Sequence, residues 1–287
     1  MAGEPMTKAA RAVPVLMYHH ISTSPGMITV SPHHFAAQMA YLARAGYRTV
    51  GGAQLAAYLA GEPLPEKSVV LTFDDGYLDN WVHAHPVLHA HGLTALCFLV
   101  TCWIGDGKAR PNAHSASAIP PLLSHADCVR ATENGHADRA ILRWSEIEAM
   151  RQAGTFEFHS HTHSHVRWDK IARTREEKCA GLKQDLFDSR ATLASHLGEV
   201  SDHLCWPQGY FDDDYRRIAR ESGFRHFYTC ETGSNLRGRH DGSGNSSDGE
   251  RSIARLEVRD RPASWLASRL WVHSRPAISR MYLSIKR

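Results

Sequence analysis

The 287-residue sequence predicts an α/β fold with a mostly parallel sheet. Three observations carry that prediction. Apolar runs of strand length alternate with amphipathic stretches of helix length from Val13 to about Val258. The run Val69-Val70-Leu71-Thr72-Phe73 delivers two adjacent acids, Asp74 and Asp75, into a Gly76 turn. The run Phe156-Glu157-Phe158 delivers a tract with histidine at 159, 161, 163 and 165. Strand ends are where parallel α/β proteins keep their chemistry.

In chain order, Val13 to Ile21 reads as a buried first strand that ends in His19 and His20. Ser31-Pro32 opens a helix with Phe35, Met39, Leu42 and Ala43 on one face and Gly46 as its stop. Residues 47–50 form a short strand, Leu55 to Leu59 a helix, and 63–67 a polar loop into the central strand. After the acid pair, Trp81 to His91 is helical despite Pro86, and 94–101 is an apolar strand. From Gly105 to Arg143 the chain mixes Pro, Asn, His, Ser and Gly with little periodicity. An insertion of this kind after a strand end is placed to roof a groove. Helices follow at 144–153, 173–197 and 212–222, with strands at 224–229 and 253–258. The Gly- and Ser-rich segment 234–252 reads as a mobile loop.

Composition bounds the function. The formal charge is +3, but residues 261–287 hold six Lys/Arg and no acid, so the remainder carries −3 and general nucleic-acid binding is not expected. Six cysteines without a CxxC pair fit reduced thiols. The first 13 residues lack an apolar core of signal-peptide length, and no window approaches the roughly 18 apolar residues of a membrane span. The expectation is a cytoplasmic protein. Its basic, aromatic tail offers either a closing helix or a peripheral membrane contact.

One carboxylate with two imidazoles is a sufficient ligand set for a catalytic divalent ion. Adjacent residues on an extended segment point in different directions. One acid of the Asp74–Asp75 pair can therefore hold the ion while the other handles a proton. An isolated Asp-Asp-Gly would read as a turn with Asp75 capping a helix; the histidine tract downstream argues for chemistry. The ion is expected to be Zn²⁺, with Co²⁺, Ni²⁺ or Mn²⁺ compatible with the same donors. Such a site suits hydrolysis of an amide or ester. No GxSxG, HExxH or phosphate-cradling loop is present, which excludes the common serine hydrolase, zincin and nucleotide-binding signatures.

Thr72-Phe73-Asp74-Asp75-Gly76, the histidine tract and Trp206-Pro207-Gln208-Gly209-Tyr210, in this order, resemble the motifs of the polysaccharide deacetylases of the NodB-homology type, carbohydrate esterase family four. The opening VPVLMYHHI resembles the branch that contains poly-N-acetylglucosamine deacetylases. The resemblance implies a distorted (β/α) barrel over 13–260, preceded by an extension at 1–12, that removes an N-acyl group from an amino sugar. It implies Asp74 as catalytic base and Asp75 as metal ligand. The His-Ser/Thr-x-x-His motif fits both 159–163 and 161–165, and the preceding Glu157-Phe158-His159-Ser160 favours His161 and His165. Pro207, Gln208, Gly209 and Tyr210 correspond to the groove wall, with the Gln208 N–H as oxyanion donor in place of the family's Arg and Tyr. The general-acid histidine of the last strand is missing, since Arg255-Leu256-Glu257-Val258 stands there. His20 is taken as its substitute, ahead of His19, His226 and His273. The expected partner is an N-acetylated carbohydrate, free or on a lipid-linked precursor; the competing expectation is a carbohydrate-binding protein on a degenerate barrel.

Overall fold

The computed structural model describes residues 8–238 and 251–286. Its strands are β1 Val15–Tyr18, β2 His20–Ile21, β3 Thr29–Val30, β4 Arg48–Thr49, β5 Ser68–Asp75, β6 Ala95–Leu99, β7 Phe156–Ser160, β8 His203–Cys205, β9 His226–Tyr228, β10 Arg251–Ile253 and β11 Leu256–Glu257. The main sheet runs β10-β9-β8-β7-β6-β5-β1-β11, with β4 beside β5. Each of its pairs is parallel.

The two edge strands explain why this sheet is a barrel. Laid flat, β10 and β11 would stand about 33 Å apart at the usual strand spacing. They are joined by Ala254 and Arg255 alone, a link that reaches about 10 Å. The sheet must therefore curl until its edges nearly meet. Asn235 staples the seam, its side-chain amide donating to Val13 O (3.2 Å) and Ala254 O (2.9 Å).

Alternation along the strands makes two cores. Leu96 and Phe98 join Val15, Val70, Cys205 and Tyr228 inside the barrel, while Cys97 and Leu99 pack outward among the helices. The helix Pro32–Arg44 buries Phe35, Met39 and Leu42 as its spacing requires, and the Ser31 hydroxyl accepts from His34 N. Pro86 is tolerated because it lies in the first turn of the helix His85–His91, after a π-turn over Asn80–Ala84.

Two readings need correction, those of the first and last strands, and two gain detail. The first strand is not continuous: it breaks at His19, which separates β1 from β2. The last strand is likewise two short ones, broken at Ala254–Arg255. The 105–143 insertion is ordered, with a helix at His125–Glu133 capped by the Ser124 hydroxyl. It is clamped by Arg110, whose guanidinium pairs with the fully buried Glu146. The basic tail forms helices Ala263–His273 and Pro276–Lys286, and Leu266 and Leu270 of the first are fully buried in the main core. That helix packs on the barrel and leaves its Trp271 half-exposed, while Met281 and Ile285 of the second helix are largely exposed. Among the described residues no helix is long and apolar enough to cross a membrane. Most of the segment expected as a mobile loop, 239–250, lies outside the described residues.

Candidate active site

Asp74 and Asp75 end β5, in register with Phe98 and Leu99 of β6, which in turn face His159 and Ser160 of β7. Alternation points Asp74 into the barrel with Val70 and Thr72 and would send Asp75 outward. A left-handed turn at Asp75 (φ 73°) swings its carboxylate back over the strand ends. One residue beyond β7, His161 N donates to Leu99 O (2.8 Å), which brings the imidazole over the same edge. Its Nδ1 lies 2.8 Å from Cys205 O and donates to that carbonyl, so Nε2 faces Asp75 Oδ1 at 3.4 Å. The loop 162–165 makes a tight turn with Thr162 at φ 67° and His165 at φ 60°. Ser164 anchors it to Asp185 through N (2.9 Å) and Oγ (2.7 Å). His165 Nε2 arrives 3.5 Å from the same Asp75 oxygen.

Of the four histidines of the tract, His161 and His165 are the two whose rings lie beside Asp75. His163 turns to Thr101 Oγ1 (2.8 Å) and His159 to Ser201 Oγ (2.6 Å), away from the carboxylates. Asp75 Oδ1 is buried without a hydrogen bond, an expensive state for a carboxylate oxygen. Donors around a tetrahedral ion with bonds near 2.05 Å lie about 3.3 Å apart. The 3.4 and 3.5 Å separations are close to that, so Asp75, His161 and His165 fit a divalent cation. A second grouping, Asp74, His161 and Cys205, does not fit. Both Asp74 oxygens are already taken, and burial pushes the Cys205 thiol up to about 11.

What takes the Asp74 oxygens is Arg255. Its Nη1 donates to Oδ1 (2.7 Å) and its Nη2 to Oδ2 (2.8 Å), with both side chains out of solvent. Burial alone would raise the Asp74 pKa, but the Arg255 guanidinium outweighs it and holds the carboxyl below its ordinary value. Arg255 also donates to Thr229 O (2.8 Å) and Thr72 Oγ1 (3.2 Å). Sequence reasoning registered this position only as a missing histidine. The available signal was an arginine within the apolar run Ile253 to Leu256.

The structure exchanges the two histidines of the first strand. His19 lines the cleft, with Nε2 3.6 Å from Asp74 Oδ2. His20, expected as the catalytic acid, is 1% exposed, bonded through Nδ1 to Asp79 (2.6 Å) and stacked on Tyr77. His226 and His273 are no substitutes either. The first begins β9 at the opposite end of the barrel, and the second is buried in the closing helix against Ser279.

Around these groups lies a cleft of about 610 Å³. Gln208 and Gly209 form part of its wall, in a turn where Gln208 has φ 54° and Gly209 φ 69°. A Cβ on Gly209 would meet Cys230 Sγ at 2.6 Å, so only glycine fits. Pro207 is buried beneath this wall, and Tyr210 sits under the Arg167 guanidinium, 3.9 Å from its ring centre. The insertion supplies the opposite wall through His125, Val129, Thr132 and Glu133. Asp75, Thr162, His165 and Gln208 are the four non-glycine residues with positive φ among the described residues, and all belong to this site. Such strain collects where function fixes the backbone.

The sequence matches the polysaccharide deacetylase family over residues 61–227, more than half of the chain. The protein belongs to that family. With membership goes the class of reaction, hydrolysis by an N-deacetylase of amino sugars. This deacetylase is 25% identical to Bacillus subtilis YxkH over 229 residues, covering 79% of its own chain and 68% of that protein. It is 27% identical over 207 residues to the poly-β-1,6-N-acetyl-D-glucosamine N-deacetylase of Escherichia coli K12, covering 68% of its own chain but only 30% of that enzyme. Its fold superposes on IcaB from Ammonifex degensii with a TM-score of 0.68 at 25% identity, over 92% of this chain and 97% of that one. The curled parallel half-barrel is therefore the NodB-type architecture.

Proposed function

We propose that the deacetylase removes the N-acetyl group from an amino sugar of a glycan, with a Zn²⁺-class ion held by Asp75, His161 and His165. The observation that carries this reading is the buried, unbonded Asp75 oxygen faced by two imidazole nitrogens, beside an Asp74 that Arg255 reserves for another role. A bound divalent ion at those donors supplies Lewis acidity, lowering the pKa of water and polarising an acyl carbonyl. Asp74, ionised at neutral pH, accepts the proton of the attacking water. His19 is neutral at rest, because burial lowers its pKa more than Asp74 and Asp75 raise it. It therefore takes its proton from Asp74, 3.6 Å away, and passes it to the leaving nitrogen. Gln208 and Gly209 bound the side of the cleft where a backbone donor would meet the oxyanion.

The substrate proposed is a β-linked N-acetylglucosamine oligomer, in keeping with the names of the Escherichia coli and Staphylococcus aureus relatives. A carbohydrate-binding protein without activity would need Asp75 and the histidines for a metal, but no second acid such as Asp74 lining the cleft. The test measures bound metal and amine release from acetylated oligosaccharides and from a lipid-linked glycan precursor. Asp75→Asn, His161→Gln and His165→Gln should lose metal and activity together. Asp74→Asn should keep the metal and lose activity by a factor on the order of 10² to 10⁴. Full activity in Asp74→Asn, or full metal occupancy in His161→Gln, overturns the assignment.

A further inference from the structure

Three parallel strands carry a second row of imidazoles. His159 of β7 lies in line with His203 of β8, because Ser160 pairs with Leu204, and His203 pairs directly with His226 of β9. In-register residues of parallel strands face the same side, here the barrel interior. The row lies inside the barrel where β8 and β9 begin, beside Phe98 and Tyr228. Its rings touch in sequence, at 5.1 Å between His159 and His203 and 4.6 Å between His203 and His226. In most barrels this layer is filled by aliphatic side chains.

We propose that His203, His226 and Asp202 form a second divalent-cation site of the Zn²⁺ class at the end of the barrel opposite the cleft. His203 Nε2 and His226 Nε2 lie 3.7 and 3.6 Å from the two oxygens of Asp202, a few tenths of an ångström beyond the spacing expected around a tetrahedral ion. The supports around these donors are in place. Tyr228 OH, 2.9 Å from His203 Nδ1, fixes that ring with Nε2 toward the site. Asp202 O accepts from Arg225 N (2.8 Å) and His226 N (3.1 Å), locking the carboxylate-bearing residue between the two strand starts. Gly52 closes the site from below. A Cβ there would stand 3.2 Å from His203 Nε2 and 3.3 Å from His159 Cε1, filling the space beside the donors. His159 forms a wall and not a ligand, since its Nε2 turns to Glu157, 3.6 Å away. The Asp202 side chain is 43% exposed and gives an ion its entry.

The test is equilibrium dialysis of the full chain against ZnCl₂, with metal analysis. Wild type is expected to hold two equivalents, Asp75→Asn one, Asp202→Asn one, and the double variant none. Asp202 is exposed enough for its substitution to leave the fold intact, which circular dichroism checks. In the Asp75→Asn background, Zn²⁺ should raise the melting temperature, and the addition of Asp202→Asn should weaken Zn²⁺ binding at least tenfold. A folded Asp75→Asn protein that takes up no Zn²⁺ overturns the proposal, as does a second equivalent bound equally well by Asp202→Asn. One equivalent in both wild type and Asp75→Asn would uphold this site and instead remove the metal from the active-site reading.

Discussion

Replacing Arg255 by Gln removes the only cation among the described residues bonded to Asp74, while leaving a side chain that can still donate a hydrogen bond. At an effective dielectric near 20 and a charge separation of about 4 Å, the lost attraction is about 4 kcal/mol. Removing one partner of a buried ion pair costs about 3–5 kcal/mol, because the remaining charge is stranded. For a chain of this size, roughly 2–4 °C per kcal/mol puts the fall in melting temperature at about 6–20 °C. The sign of the pH dependence follows from the same geometry. With Arg255 present, the Asp74 pKa is depressed, so the pair stabilises the fold above the unfolded carboxyl pKa and this is lost as pH falls. In Arg255→Gln, the largest opposition to burial is gone and the carboxyl rises, so the gap in stability between variant and parent narrows toward acid pH and the acidic limb of kcat/KM moves upward. Urea denaturation at neutral and acid pH, with a double-mutant cycle through Asp74→Asn, reads these effects. The double variant should be less destabilised than the sum of the singles by about 2–3 kcal/mol. A single variant within 1 kcal/mol of the parent, or an additive cycle, would refute the pairing argument.

Other consequences can be checked separately. Burial works against charge on His161, but the Asp75 and Asp74 carboxylates hold its pKa well above the ordinary imidazole value, so metal uptake at that site must expel a proton. Affinity there should rise about tenfold per pH unit until His161 is neutral, as isothermal titration in buffers of differing ionisation enthalpy would show. His19→Gln should lower kcat by a factor on the order of 10². His20→Gln should lower the melting temperature through loss of the Asp79 bond and affect kcat less; the reverse ranking would restore His20 to the cleft. Gly209→Ala, which forces a Cβ to 2.6 Å from Cys230 Sγ at φ 69°, should cost about 1–3 kcal/mol in chemical denaturation. An unchanged midpoint would show that this turn relaxes freely.

The central strands and the cluster of Asp75, His161 and His165 were legible because they obey local rules. β5 and β6 carry continuous apolar runs, as buried parallel strands must, and β5 and β7 end in polar residues. What could not be read was decided by contacts far apart in sequence. The choice between His19 and His20 rests on a break of one residue, and Tyr77 and Asp79 fix which imidazole turns inward. Arg255 is legible only once the seam is known, since nothing local pairs residue 255 with residue 74. The helix at 125–133 hid within a polar stretch because its burial is confined to Cys128 and Ala131.

The seam also orders events in time. Arg255 and Asp74 stand 181 residues apart, so their contact is among the most non-local in the chain. Loops of that length close late, after β5, β6 and β7 have paired with their sequence neighbours. Until then Asp74 is a carboxylate in a half-formed interior with no counter-charge, and its protonated form is favoured. A growing chain or partly unfolded molecule can thus bring Asp75, His161 and His165 together while the proposed base, Asp74, is disarmed. The same two-residue link that shuts the barrel switches on its proton chemistry, so that competence arrives only with completion of the fold.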